Sequence, residues 1–208
     1  MITRTLPTQV HGRYLYRDRG AARLLVGFHG YAENAEAHLA ELDRLPGIDA
    51  WSVVAVQALH PFYTRSGLVV ASWMTSLDRE EAIADNLAWV ERVLDSLPAP
   101  DTLVYLGFSQ GAAMASRAAA RGRAAAGLIL LGGDIPPEVK ADSNLQLPPT
   151  LLGRGSRDEW YTDEKFKDDL SFLEGRTRVT RCQFAGGHEW VDPFREAVGE
   201  FLQSLDTR

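Results

Sequence analysis

Short apolar runs alternate along the chain with stretches in which apolar residues return every third or fourth position. The runs WSVVAVQ (51–57), TLVYLGF (102–108), AGLILLG (126–132), PTLLG (149–153) and RVTRCQF (178–184) read as strands. LVYL and LILL are apolar on both faces, as befits strands inside a parallel sheet covered by helices. Nearer the start, QVHGRYLYRD (9–18) and ARLLVGF (22–28) flank a turn at Arg19-Gly20, which predicts an antiparallel pair.

Helical periodicity fills most of the gaps. Over 78–97, Ile83, Leu87, Val90, Leu94 and Leu97 share one face, and Asp78 with Glu81 suits a capping box. Over 192–205, Phe194, Ala197, Val198, Phe201, Leu202 and Leu205 form a stripe. Asp192 is the expected cap there, and Pro193 suits the first helical position, where a missing N–H costs nothing. Shorter helices fit 34–45, 110–121 and 161–173. The order predicts an α/β class: one domain over 1–208, three layers, a mostly parallel sheet of about seven strands, helices on both faces and right-handed crossovers. Residues 58–76, rich in aromatics, and 133–148, rich in proline, break the alternation. Long loops of this kind often line a site on a rigid scaffold.

Composition narrows the function classes. A net charge of −6 with interspersed signs argues against a nucleic-acid partner. No run approaches the ~18 apolar residues that span a bilayer, so no membrane span is expected. The first residues lack the apolar core of a signal peptide, and the single cysteine, Cys182, excludes an intrachain disulfide. The expected location is cytoplasmic. Whether the chain is a monomer or a homodimer is left open.

The chemistry centres on VYLGFSQGAAM, Val104 to Met114, where an apolar strand turns into an alanine-rich helix. A serine hydroxyl is a poor nucleophile unless a base takes its proton and N–H groups hold the oxyanion. Gly-x-Ser-x-Gly between strand and helix supplies room for a sharp turn, with Gly107 and Gly111 flanking Ser109. The plainer alternative is a serine that only caps the helix. A base and an acid are then required later in the chain, acid before base. His188, in FAGGHEW after the last strand, is the candidate base. His11 falls in the first strand, His38 on an amphipathic helix and His60 in the long loop, where position alone does not exclude it. Asp158, in LLGRGSRDEW after the penultimate strand, is the candidate acid, with Glu159 and Asp134 as alternatives. The oxyanion amides are expected from Gln110, just after the serine, and Tyr31, in GFHGYAEN. His29 reads as a structural side chain. Cys182 reads as a small strand residue.

These segments together resemble the α/β-hydrolase superfamily, and within it the small phospholipase/carboxylesterase group that includes the acyl-protein thioesterases. The resemblance rests on FHGYAEN, GFSQGAAM, GRGSRDEWY and GGHEW and covers most of the chain. It implies a fold without a large cap domain, a Ser109–His188–Asp158 triad and oxyanion amides at Tyr31 and Gln110. Tyr31-Ala32 departs from the group, which commonly has a small or aliphatic residue and then glycine. SWMTSLDRE, with Trp73, matches the corresponding segment only loosely, and Glu159-Trp160 replaces an aliphatic lead into the next helix. These departures bear on substrate choice.

The combined expectation is a serine esterase acting through an acyl-enzyme on small-molecule esters with small or medium apolar acyl or aryl groups. It needs no metal and no cofactor. The expected pocket is aromatic: Tyr31, Phe62, Tyr63, Trp73, Trp160 and Trp190, with Arg65 a solvated surface residue. Thioester or lysophospholipid hydrolysis on the same triad, and a non-catalytic hydrolase-like binding protein, are the alternatives.

Overall fold

The computed structural model describes residues 1–205. The chain runs β1 (Tyr14–Arg17), β2 (Arg23–Phe28), α1 (Ala35–Leu42), β3 (Ser52–Val56), β4 (His60–Tyr63), β5 (Val69–Ser72) and α2 (Arg79–Asp95). It continues with β6 (Thr102–Phe108), α3 (Gln110–Arg121), β7 (Gly127–Leu131), α4 (Pro137–Lys140), β8 (Thr150–Gly155), α5 (Asp163–Glu174), β9 (Val179–Phe184) and α6 (Asp192–Ser204). Seven strands form one sheet in the order β1-β3-β2-β6-β7-β8-β9. Only the β1–β3 pairing is antiparallel.

The sheet separates two cores, and β6 shows why its sequence is apolar throughout. Leu103 and Tyr105 pack with α2, α3 and α5, through side chains such as Val90, Met114 and Phe166. Val104, Leu106 and Phe108 pack on the other face with Leu42 of α1 and Phe194, Val198 and Phe201 of α6. Each such large side chain, fully buried, contributes roughly 1.5–3 kcal/mol relative to exposure. Among the described residues, no helix is long and apolar enough to cross a membrane.

The antiparallel pair expected between 9–18 and 22–28 does not form. β2 is buried on both faces from Leu24 onward and takes parallel neighbours on both edges: Val26 pairs with Val54 and with Tyr105. β1, with half-exposed Tyr14 and Tyr16, sits at the sheet edge, where Tyr14 pairs with Val56. The turn at Arg19-Gly20 does reverse the chain, but it first steps across the start of β3. There the Arg19 amide donates to Ser52 Oγ at 3.1 Å and its guanidinium to the Trp51 carbonyl at 3.3 Å.

Two helix starts also differ. Asp78 precedes α2 with φ 45°, and its side chain caps nothing, so the capping box with Glu81 is absent. A left-handed residue leading in from the 75–77 turn does not present the extended geometry of a side-chain cap. At α6 the cap position falls on Val191, and Asp192 is the first helical residue, bonded to Arg195 Nη1 at 2.6 Å. Within 58–76 the chain forms a hairpin, β4–β5, where a plain loop was expected.

Candidate active site

The site lies where β6, β8 and β9 end. At the end of β6 the chain turns so sharply that Ser109 takes φ 55°, ψ −120°, outside the usual regions for an L-residue. Its side chain makes no capping bond, which sets aside the helix-cap reading. Its amide is tied to the Leu131 carbonyl of β7 at 2.8 Å. The flanking glycines matter for close approach. A β-carbon on Gly107 would lie 2.2 Å from the Gly111 oxygen, so the turn tolerates no side chain there.

His188 sits in the 185–191 loop between β9 and α6, with its side chain 21% exposed. Its Nε2 is 2.8 Å from Ser109 Oγ, and its Nδ1 is 2.8 Å from Asp158 Oδ2. Asp158, after β8, is buried. Its other oxygen accepts from the amides of Trp160 and Tyr161, both at 2.9 Å. Those two bonds fix the carboxylate before it meets the imidazole, so the ring is aimed from behind. Gly132, with φ +61°, passes beneath the pair: a β-carbon there would lie 3.2 Å from the His188 ring. The alternative acids stand apart from the imidazole. Asp134 is exposed and 3.8 Å from Lys165 Nζ, and Glu159 is exposed. His60 and His11 are exposed, and His11 precedes β1 instead of lying inside it.

The loop after β2 approaches the same point. The amides of Tyr31 and Gln110 donate to no atom among the described residues, and that of Gln110 opens α3, whose positive end faces the serine. Ala32 takes φ 58°, which explains why a glycine suits this position better. Glu33 folds back so that its Oε2 accepts from the Gly30 amide at 2.7 Å, and burial raises its carboxyl above the ordinary range. His29 is fully buried. Its Nε2 accepts from the Ala58 amide at 3.1 Å, leaving Nδ1 to donate to the Gly30 carbonyl at 2.6 Å. Burial lowers its pKa to about 4, so it is a neutral structural ring.

Comparison with solved structures places the fold. A carboxylesterase from Mesorhizobium loti superposes with a TM-score of 0.74 at 18% identity, over 96% of this chain and 98% of that one. Acyl-protein thioesterase 2 from Zea mays gives 0.72 at 20%, over 94% and 99%. The Bacillus cereus carboxylesterase gives 0.72 at 18%, over 93% and 94%. The chain has the α/β-hydrolase fold. No family model and no curated protein matches it.

The cleft of this hydrolase fold, about 470 Å³, opens beside Ser109 and His188. Of the aromatic residues expected to line it, only Trp160 does so, and it is exposed. Trp73 is fully buried; its indole N–H donates to the His29 carbonyl at 2.8 Å, so it supports the loop after β2 from within the core. Trp190 packs on Phe108, which in turn stacks on His188. Phe62 stacks on Tyr31 at 5.5 Å, and Tyr63 points into solvent from the hairpin. Its walls combine charged and polar side chains, Thr75, Ser76, Arg79, Asp134 and Lys165, with apolar ones from Met74, Ala113, Pro136 and Pro137. The expected aromatic lining is therefore replaced by a mixed one, in which Trp160 alone of the expected aromatics takes part.

Three supports were missed in the sequence. The Gln110 side chain accepts from the Trp73 amide at 2.9 Å and donates to the Met74 carbonyl at 2.8 Å, tying the segment after β5 to the serine turn. Asn86 of α2 holds the same segment by donating to the Trp73 carbonyl at 2.9 Å. Asp169 of α5, fully buried, accepts from Tyr161 Oη at 2.7 Å and from the Ile135 amide, and pairs with Lys140. It thereby fastens the 133–148 segment to the body. A polar residue inside a helical stripe is the only signal that marks Asn86 and Asp169.

Proposed function

We propose that residues 1–208 form one α/β-hydrolase domain that acts as a serine carboxylic-ester hydrolase. The observation that carries the reading is the hydrogen-bonded chain from Ser109 Oγ through His188 to Asp158, each step 2.8 Å. As Ser109 Oγ attacks the ester carbonyl, His188 Nε2 takes its proton. Asp158, fixed by two amides, holds the ring tautomer and stabilises the imidazolium. The carbonyl oxygen becomes an oxyanion that accepts from the Tyr31 and Gln110 amides; one such donor is worth roughly 3 kcal/mol. Collapse expels the alcohol, which receives the proton from His188, and leaves an acyl-Ser109. Water, activated by the same imidazole, then attacks the acyl carbon and releases the acid and the free serine.

The substrates proposed are small-molecule esters with small or medium acyl or aryl groups, and Trp160 at the cleft edge suits an apolar portion. A cytoplasmic location belongs to the same proposal. The test is a series of p-nitrophenyl esters of increasing acyl length. Turnover by the wild type and its loss in Ser109→Ala is the expected result. Equal turnover by the two proteins would overturn the reading, and no turnover by either would favour a ligand-binding protein.

A further inference from the structure

The cleft beside Ser109 carries more positive charge than a chain of net charge −6 leads one to expect. Ser109, Ala113 and Arg117 follow one another at four-residue intervals along the cleft side of α3. At 1.5 Å per residue, the Arg117 backbone lies about 12 Å beyond the serine, and helical side chains lean back towards the N-terminus. The Arg117 side chain is fully buried, and its Nε and Nη2 share one oxygen of Glu138, at 2.8 and 2.6 Å. Among the described residues its Nη1 bonds only to the sulfurs of Met74, at 3.4 Å, and Met114, at 3.9 Å. Thioethers are weak acceptors, so this N–H₂ group is poorly satisfied.

Arg79, at the start of α2, meets the same carboxylate. Its Nη1 is 4.0 Å from the Glu138 oxygen already taken by Arg117, too far for a hydrogen bond, and its side chain is 43% exposed. Glu80 and Arg121 line a separate hollow that also borders Arg79 and Glu138. On the cleft side two guanidiniums, Arg79 and Arg117, therefore share the one carboxylate of Glu138, an excess of one positive charge. Elsewhere on the cleft wall the charges balance, because Lys165 and Asp134 lie 3.8 Å apart. A partly dehydrated guanidinium with a shared counter-ion is a favourable partner for a second carboxylate.

We propose that the ester substrate carries a carboxylate remote from its scissile carbonyl, and that Arg79, backed by the buried Arg117, is the residue that receives it. One excess charge matches a monoanion. The inference rests on the esterase reading above and narrows its substrate class.

The test uses matched pairs. Mono-p-nitrophenyl suberate and p-nitrophenyl octanoate differ only at the far end of the acyl chain. Para-carboxyphenyl octanoate and phenyl octanoate place the difference on the alcohol side. In one of the two pairs, kcat/KM favours the charged member by about tenfold at low ionic strength, the size of one charge-assisted bond. Added salt shrinks that preference, and Arg79→Glu brings the charged-to-neutral ratio below one. A neutral preference in both pairs, or a ratio unchanged in Arg79→Glu, overturns the inference while leaving the esterase reading intact. If no ester turns over, the esterase reading fails, and titration calorimetry on Ser109→Ala decides the anion site alone. Monomethyl suberate binding tighter than the neutral methyl octanoate, and weakened by Arg79→Glu, supports it; equal binding of these two esters overturns it.

Discussion

Gly111 lies so close to the Phe28 carbonyl that a β-carbon placed on it would stand 2.0 Å from the oxygen. The first turn of α3 thus rests on the end of β2 with no side chain between them, and this brings the serine turn against the loop that holds Tyr31. Gly111→Ala forces the two backbones apart. The expected loss is about 3 kcal/mol, the upper end for overpacking. For a chain of this length that lowers Tm by roughly 6–12 °C. An unchanged Tm would contradict the packing described.

Asp158 and Asp134 both follow strands at the site, but only Asp158 reaches the imidazole. Asp158→Asn is expected to lower kcat by about 10⁴, because the amide favours the wrong imidazole tautomer. Asp134→Asn, whose nearest charge is Lys165, should change kcat by less than about tenfold, the scale of an exposed ion pair. Steady-state kinetics on the two variants separates them, and a reversed order would reassign the acid.

The Gln110 side chain bridges the Trp73 amide and the Met74 carbonyl. Gln110→Ala leaves both backbone groups without that partner, at a cost of about 1–3 kcal/mol. Gln110→Glu keeps the acceptor and loses the donor, and sets a carboxylate against the Met74 carbonyl. Both variants should therefore unfold at lower urea than the wild type. Wild-type stability in both would show that the bridge is incidental.

His29 and His38 supply a pH dependence of stability. Burial lowers both, from an ordinary 6.5 to about 4 and about 3. The unfolded chain then binds more protons than the folded one below pH 6.5, so stability is complete above that pH and drains away as pH falls towards the folded values. The His38 ring nitrogens have no hydrogen-bond partner among the described residues. His38→Leu therefore costs little at neutral pH and becomes increasingly more stable than the wild type as the medium is acidified. Urea midpoints measured across this range test it; parallel curves would contradict it.

Much of this arrangement was legible in the chain because its pattern reports burial. The doubly apolar β6 and β7, the helix stripes and the order of serine, acid and base loops all follow from periodicity and chain position. Neighbour order is a different matter. The turn at Gly20 marks a reversal, but not that β3 slips between β1 and β2. Aromatic loop residues carry a similar ambiguity. Trp73 and Trp160 look alike in sequence, yet one donates its indole N–H inside the core and the other stands at the cleft. The charged groups of the cleft, Arg79, Asp134 and Lys165, converge from three separate segments, which no local pattern records.

The central claim is that His188 makes Ser109 a nucleophile. Its most direct measurement is labelling with a fluorophosphonate, followed by peptide mass spectrometry. The account predicts one covalent adduct per chain, on Ser109, formed rapidly by the wild type and at least about 10³-fold more slowly by His188→Ala. Rapid labelling that persists in His188→Ala, or an adduct on another residue, would contradict it.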